Sequence, residues 1–262
     1  MTEQTPAAVA SLSLTALDGL PEIEPGMALA PLIAAALERH AYAASDDDVF
    51  LVCQKIVSKS ENRFVELASV SVSAEARELA ARCGKDPRLV EVILRESTAV
   101  VRCAPKVLIV RHRLGFVMAN AGVDQSNVPR ADSRVLLLPS DPDGSAAALR
   151  DALSQILKVS VAVVITDTFG RPWRQGVCGT AIGASGIATL LDRRGEKDRF
   201  GRELLVTQVA IADGIASAAT LLMGEGAEGR PVVVARGLPH VYKRDGARAS
   251  DLIRPLAEDL FR

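Results

Sequence analysis

The chain has 262 residues, 48% of them hydrophobic and 24% charged, a composition that fits a soluble globular protein large enough to bury a core. Its 31 basic and 32 acidic side chains balance, which excludes a general electrostatic footprint for nucleic acid. Aromatics at 3% argue against base-stacking platforms and for a core of Ala, Val, Leu and Ile.

Residues 12–17 alternate weakly and read as a first strand. DGLPEIEPG (18–26) is a loop with two prolines and two glycines. Residues 27–43 have helical composition with apolar side chains on nearly every side, which predicts a largely buried helix. After an acidic turn at 46–48, residues 49–57 are strand-like and lead into SKSENR. Residues 73–83 form a helix pattern, with Ser73 placed as N-cap and Gly84 as stop. Asp86 followed by Pro87 starts another, running to about residue 97.

Residues 107–111 and 135–138 look like buried strands, and 143–157 a helix that begins at a DPDGS turn. Residues 160–165 are a β-branched run, the clearest strand of the chain. An alanine-rich helix is expected at 208–223, a short strand at 231–235, and a terminal helix at 250–262 weakened by Pro255. Strands and helices mix without a βαβ rhythm. That predicts a mixed α/β (α+β) fold of one intertwined unit with two lobes, and not a barrel.

Cys53, Cys83, Cys103 and Cys178 include no C-x-x-C pair, so reduced thiols are expected in place of a zinc site or disulfide framework. No run reaches the roughly 18 apolar residues of a membrane span. MTEQTPAAVA lacks the basic start of a signal peptide. A cytoplasmic protein is expected, with no membrane or nucleic-acid partner.

Two aspartates follow strand-like runs. Asp167, with Thr168, lies in ITDTFGRPWRQG (165–176); Asp124 lies in NAGVDQSN (120–127), among Asn120, Gln125, Ser126 and Asn127. Chemistry in α/β proteins sits at strand ends, and carboxylates beside hydroxyls suit magnesium or manganese, which take oxygen donors. The same residue types also build turns that satisfy their own backbone. Lys55 and Lys59, in QKIVSKSE, would neutralise a polyphosphate if both faced one cleft; otherwise they solvate a surface. Arg171 and Arg174 add guanidinium forks that match phosphate oxygens.

GEGAEG (224–229) spells G-x-G-x-x-G but follows a predicted helix and precedes a strand, the reverse of the dinucleotide fingerprint. Arg230-Pro231 stands where a P-loop needs Lys and Ser or Thr. A helix stop explains Gly224. Glu225 amid glycines suggests a backbone that approaches a ligand closely and brings one carboxylate. His40, His112 and His240 are scattered, and no nucleophile triad follows from their order.

Together these segments resemble the coenzyme F-420:γ-glutamyl ligase family. The resemblance runs in order through DGLPEIEPG, DVFLVCQKIVSKSENR, ILRES, GFVMANAGVDQSN, LLLPSDPDGSA, VITDTFGRPWRQGVCGTAIGASGI, DRFGREL and LLMGEGAEGRPVVVARGL, over nearly the whole chain. ASDLIRPLAEDLFR is of the bacterial type. The resemblance implies one ligase domain over residues 1–262, without the flavin-binding domain fused to some members. It also implies a two-lobed mixed-sheet fold and an intertwined homodimer.

The reaction so implied joins L-glutamate, once or more through γ-linkages, to the phospholactyl carboxylate of a deazaflavin precursor. GTP is the co-substrate and an acyl phosphate the intermediate. Magnesium or manganese, two per site, and potassium are the implied ions. Carried over, Asp124, Asp167, Thr168 and Glu225 would bind metal, and Asp124, Asp167 and Lys59 would be catalytic. Gly19, Leu20, Pro21, Gln54, Lys55, Lys59 and Asn127 would contact GTP, as would the loop of Met223, Gly224, Glu225, Gly226, Ala227, Glu228, Gly229 and Arg230. Asn62 departs from the family's glycine after SK-x-E, a local effect because asparagine tolerates left-handed backbone. A metal-dependent nucleotide hydrolase, or a nucleotide-binding regulator, would use the same pocket. The full set of Asp124, Asp167 and Glu225 favours the ligase over a mere binder.

Overall fold

The computed structural model describes residues 10–239, 242 and 245–259. From the amino end, β1 (Ser13–Leu17), α1 (Leu29–Arg39), β2 (Val49–Cys53) and α2 (Gln54–Ser60) come first. Next are β3 (Phe64–Glu66), α3 (Ala74–Cys83), α4 (Pro87–Arg95), β4 (Ser97–Ala104), β5 (Val107–His112), β6 (Val117–Ala119) and β7 (Arg134–Leu136). Then come α5 (Pro142–Leu157), β8 (Ala162–Arg171), β9 (Arg174–Ser185), β10 (Leu190–Asp192), β11 (Gln208–Ala210), α6 (Ile211–Met223) and β12 (Val232–Arg236).

The main sheet has the order β1-β12-β2-β8-β9. Only β2 and β8 run parallel; the other neighbours are antiparallel. Every apolar residue of VFLV in β2 is buried, as expected for a strand covered on both faces. Phe50 and Val52 join α1 and α5 in one core, while Val49 and Leu51 face α6 in a second. A third core, built from α3, α4, β5 and β7, makes the second lobe, against the smaller β4-β5-β6 sheet. The mixed α/β class and the two lobes expected from the sequence are both present.

Local signals set several boundaries. Ser73 Oγ accepts from Ala76 N at 3.1 Å, and Gly84 closes α3 with φ 68°. Asp86 caps α4 through Arg88 N at 2.8 Å. Asn62 has φ 55°, the left-handed conformation that glycine would take more cheaply.

Other expectations change. The strand expected at 49–57 ends at Cys53. There its N–H reaches Pro231 O at 2.8 Å, and Ser58 Oγ then bonds Gln54 Oε1 at 2.8 Å across a helical turn. Helical spacing drops Ile56 and Val57 into the first core. Helix 27–43 shortens to Leu29–Arg39, with Ala41 left-handed at φ 49°. In 208–223 the first three residues pair with β10, and the helix begins at Ile211. The expected terminal helix at 250–262 is instead two short 3-10 turns, Ala249–Leu252 and Leu256–Glu258, parted by Pro255, which has no N–H to give. Residues 260–262 lie outside the described residues.

Candidate active site

β2 stops at Cys53 while its parallel neighbour β8 runs on to Arg171. α2 leaves from the same end of the sheet, and β12 enters there just after Pro231. These departures open a cleft of about 420 Å³ at the carboxyl end of the parallel pair, where open α/β sheets bind ligands. The strand expected at 160–165 therefore corrects to a longer one: Asp167 sits within β8, opposite Thr180, and not after its end.

Asp124 reaches the cleft after three left-handed residues in a row, Asn120 (φ 54°), Ala121 (55°) and Gly122 (67°). Its backbone then pairs with Leu136 in both directions. Its carboxylate lies 2.6 Å from Lys55 Nζ and accepts from Ser126 N at 2.7 Å and Ser126 Oγ at 3.1 Å. Burial pushes the Asp124 carboxyl up, but Lys55 and the Ser126 donors outweigh it and hold it below the ordinary aspartate range.

Asp167 has the opposite balance. Burial pushes its pKa up to about 7, and the charges of Asp124 and Glu225 add to the rise against the Thr168 N–H and Lys55. Glu225 Oε2 accepts from Thr168 Oγ1 at 3.1 Å, tying the glycine loop to β8. Lys55 and Lys59 are one helical turn apart on α2 and share a face. Lys59 is buried and pairs with Glu22.

The glycine loop has its own geometry. Gly224 ends α6 at φ 75°, ψ 175°, a region essentially reserved for glycine. Glu228 folds back so that its carboxylate accepts from Gly226 N at 2.8 Å. Asn127 Nδ2 donates to Gly226 O at 3.0 Å, joining the Asp124 loop to the glycine loop.

Most of the residues picked from the sequence thus line one cleft: Leu20, Pro21, Lys55, Lys59, Asp124, Asn127, Asp167, Thr168 and the 223–230 loop apart from Glu228. Three stand behind it. Gly19 gives its carbonyl to Arg39 at 2.8 Å, Gln54 is buried on Ser58, and Glu228 braces its own loop. Arg171 and Arg174 lie farther along the β8–β9 hairpin. His40 pairs with Asp18, His112 is buried beside Glu96, and His240 lies outside the described residues.

Glu22 and Cys53 are among the lining residues assigned no site role from the sequence, with Ile23, Ile56, Thr166 and Thr220. Glu22 directly follows Pro21, and Cys53 ends an apolar run, so position was the available signal. Burial, with Asp167 and Glu225 nearby, pushes the Cys53 thiol up to about 11. It is therefore protonated at neutral pH and no nucleophile.

Among the described residues, no three His, Cys, Asp or Glu side chains converge as a ready metal site. Asp124 holds Lys55, and Glu225 holds the Thr168 hydroxyl. The donor set is nonetheless all oxygen, with the buried Asp167 close enough to Asp124 and Glu225 to feel their charge. That chemistry fits a hard divalent cation. Two other cavities, of about 230 and 470 Å³, flank α5; the smaller gathers Asp46, Asp47, Asp48 and Asp245, but there Asp48 is paired with Arg236 and Asp245 with Arg150.

A family model described as F420-0:Gamma-glutamyl ligase matches residues 19–237. The coenzyme F420:L-glutamate ligase of Methanopyrus kandleri is 48% identical over 92% of this chain and 94% of its own. That of Methanothermobacter thermautotrophicus is 41% identical over 96% and 99%, and that of Archaeoglobus fulgidus 45% over 85% and 86%.

Proposed function

The chain belongs to the F420-0:gamma-glutamyl ligase family, and on that premise we propose that it joins L-glutamate to the carboxylate of the deazaflavin precursor F420-0 at the expense of GTP, in one or more γ-linked additions. The observation that carries this reading is the meeting of Asp124, Asp167 and Glu225 with Lys55 and Lys59 in one cleft edged by a glycine loop.

A free carboxylate is a poor acylating agent, so it must be activated. In the proposed route a precursor carboxylate oxygen attacks the γ-phosphorus of GTP. A new P–O bond forms, the bond to the bridging oxygen breaks, and GDP leaves with that electron pair. The glutamate amine then attacks the carbonyl carbon of the acyl phosphate. The C–N bond forms, phosphate leaves with the C–O electron pair, and the amine proton passes to solvent.

Negative charge gathers on the transferred phosphoryl oxygens, and Lys55 and Lys59, which line the cleft, would offset it. Asp124, Asp167, Thr168 and Glu225 would hold magnesium or manganese, two ions per site, which when bound supply further neutralisation of the phosphates. Potassium is the remaining expected ion. The backbone of residues 19–21 and of the 223–230 loop would take the nucleotide. The route needs no enzyme nucleophile, in keeping with a protonated Cys53.

An intertwined homodimer is part of this reading. Phe200 (94% exposed), Val206 (86%) and Leu221 (84%) are large apolar side chains left in solvent, as at a surface that a second copy covers. Among the described residues no helix is long and apolar enough to cross a membrane, and the reaction is assigned to the cytoplasm.

GTP turnover by the purified protein tests the reaction. Sustained GDP release should need precursor, L-glutamate and a divalent cation together, and without glutamate it should stop near one GDP per enzyme, the acyl-phosphate step. Repeated GDP turnover without precursor would replace the ligase with a nucleotide hydrolase.

A further inference from the structure

β8 does not end at the cleft. It continues through Phe169 to Arg171, turns at Pro172–Trp173, and returns from Arg174 as β9. Trp173, the only tryptophan of the chain, is 91% exposed and left-handed at φ 63°. A bulky residue in that region is an outlier, and such outliers gather where function selects them. Arg171 and Arg174 flank it, and among the described residues neither pairs with a carboxylate; Arg171 rests on the Cys178 sulfur.

Side chains alternate along a strand, so Asp167 and Phe169 share one face of β8, and Arg171 follows them beyond a register shift at Gly170. At a rise of about 3.3 Å per residue, Arg171 lies roughly 13 Å from Asp167, with Trp173 beyond it. The order outward from the cleft is carboxylate cluster, guanidinium, exposed indole. An acceptor whose carboxylate is activated at Asp167 presents its groups in the matching order: carboxylate, phosphate, then a flat aromatic ring at the far end.

We propose that the β8–β9 hairpin tip is the acceptor subsite, in which Trp173 stacks on the ring of the deazaflavin precursor and Arg171 and Arg174 pair with its phosphate. This rests on the ligase reading of the cleft. Stacking on an aromatic side chain and fork-shaped recognition of phosphate are the chemistries these residues supply.

Because the chain has one tryptophan beside two tyrosines, emission excited selectively in the indole band reports on this position alone. Titration of the full chain with the glutamate-free precursor should quench that emission saturably, and GTP with magnesium should not. Trp173→Ala should raise the KM for precursor about tenfold, equivalent to about 1.4 kcal/mol, with the KM for GTP unmoved. Trp173→Phe should recover most of that loss, and Arg174→Gln should raise the same KM. Emission unmoved by precursor, or a Trp173→Ala variant with the wild-type KM for it, would overturn the subsite. So would emission that shifts with protein concentration alone, which would mean that a second copy covers the tip. Quenching needs no turnover, so failure of the subsite and failure of the ligase reading are separate results.

Discussion

The Lys55 ammonium lies 2.6 Å from Asp124 Oδ2 and bonds the same loop through Ser126 O at 2.9 Å and Ser126 Oγ at 2.7 Å. One cation thereby ties α2 of the first lobe to the loop that enters from the second. It also keeps Asp124 ionised in spite of burial. Lys55→Met should lower kcat/KM by about 10²-fold, the usual effect of removing one preorganised electrostatic partner. Steady-state kinetics check this; a loss of less than threefold or so would assign the lysine a structural part only.

Among the described residues Asp167 has no ion-pair partner of its own, and burial first, then the charges of Asp124 and Glu225, raise its carboxyl to about 7. Asn in its place keeps the shape and removes the charge. Asp167→Asn should abolish turnover and leave the circular dichroism spectrum and melting curve as they are. Full activity in that variant would remove Asp167 from the metal-binding set.

Gly224 carries the tightest backbone constraint of the site. A Cβ there would stand 2.2 Å from Glu228 Cδ, at φ 75° and ψ 175°. Gly224→Ala should cost about 1–3 kcal/mol locally, displace Glu228 from Gly226, and weaken GTP binding with little change in helical content. Calorimetric titration with a non-hydrolysable GTP analogue measures the loss, and unchanged affinity would detach the loop from the nucleotide.

Glu96 joins the lobes at a distance from the cleft. It takes Arg113 Nε at 3.1 Å and Arg63 Nη2 at 3.4 Å, and buried His112 Nε2 lies 3.5 Å away. Leu114 N donates to His112 Nδ1 at 3.0 Å, so the ring proton is on Nε2 and faces the carboxylate. His112 first, then Arg113 and Arg63, hold Glu96 below its ordinary 4.5 in spite of burial. A depressed carboxylate contributes stability above its unfolded pKa and loses it as pH falls through the folded one. Glu96→Gln should therefore cost about 1–3 kcal/mol at neutral pH, and the gap to wild type should close as pH drops below 4.5. Urea unfolding across that range checks the sign; a gap that widened in acid would reverse it.

The helices with strong end signals were legible: Ser73 and Gly84 bound α3, and Asp86-Pro87 opens α4. The meeting of Asp124 and Asp167 in one cleft was legible from their polar loops, but the expected position of each just after a strand was not met, since Asp167 lies within β8 and Asp124 on a loop after three left-handed residues. β9 was not legible, because Gly176, Gly179 and Gly183 interrupt it. The structure explains two of them: a Cβ on Gly179 would meet Ala216 O at 2.4 Å, and one on Gly183 would meet Pro142 O at 2.2 Å. Glycine here admits α6 and α5 against the strand, a tertiary demand that local propensity does not carry. The switch from strand to helix at Gln54 was hidden for a related reason. Ile56 and Val57 are β-branched, yet the first core takes them at helical spacing.

Mass spectrometry of the reaction product tests the central claim most directly. Purified protein is incubated with glutamate-free deazaflavin precursor, GTP, manganese and L-glutamate. The account predicts products heavier by one or more glutamyl residues, formed only when all four are present. GTP consumed with no gain in mass of the precursor would contradict it.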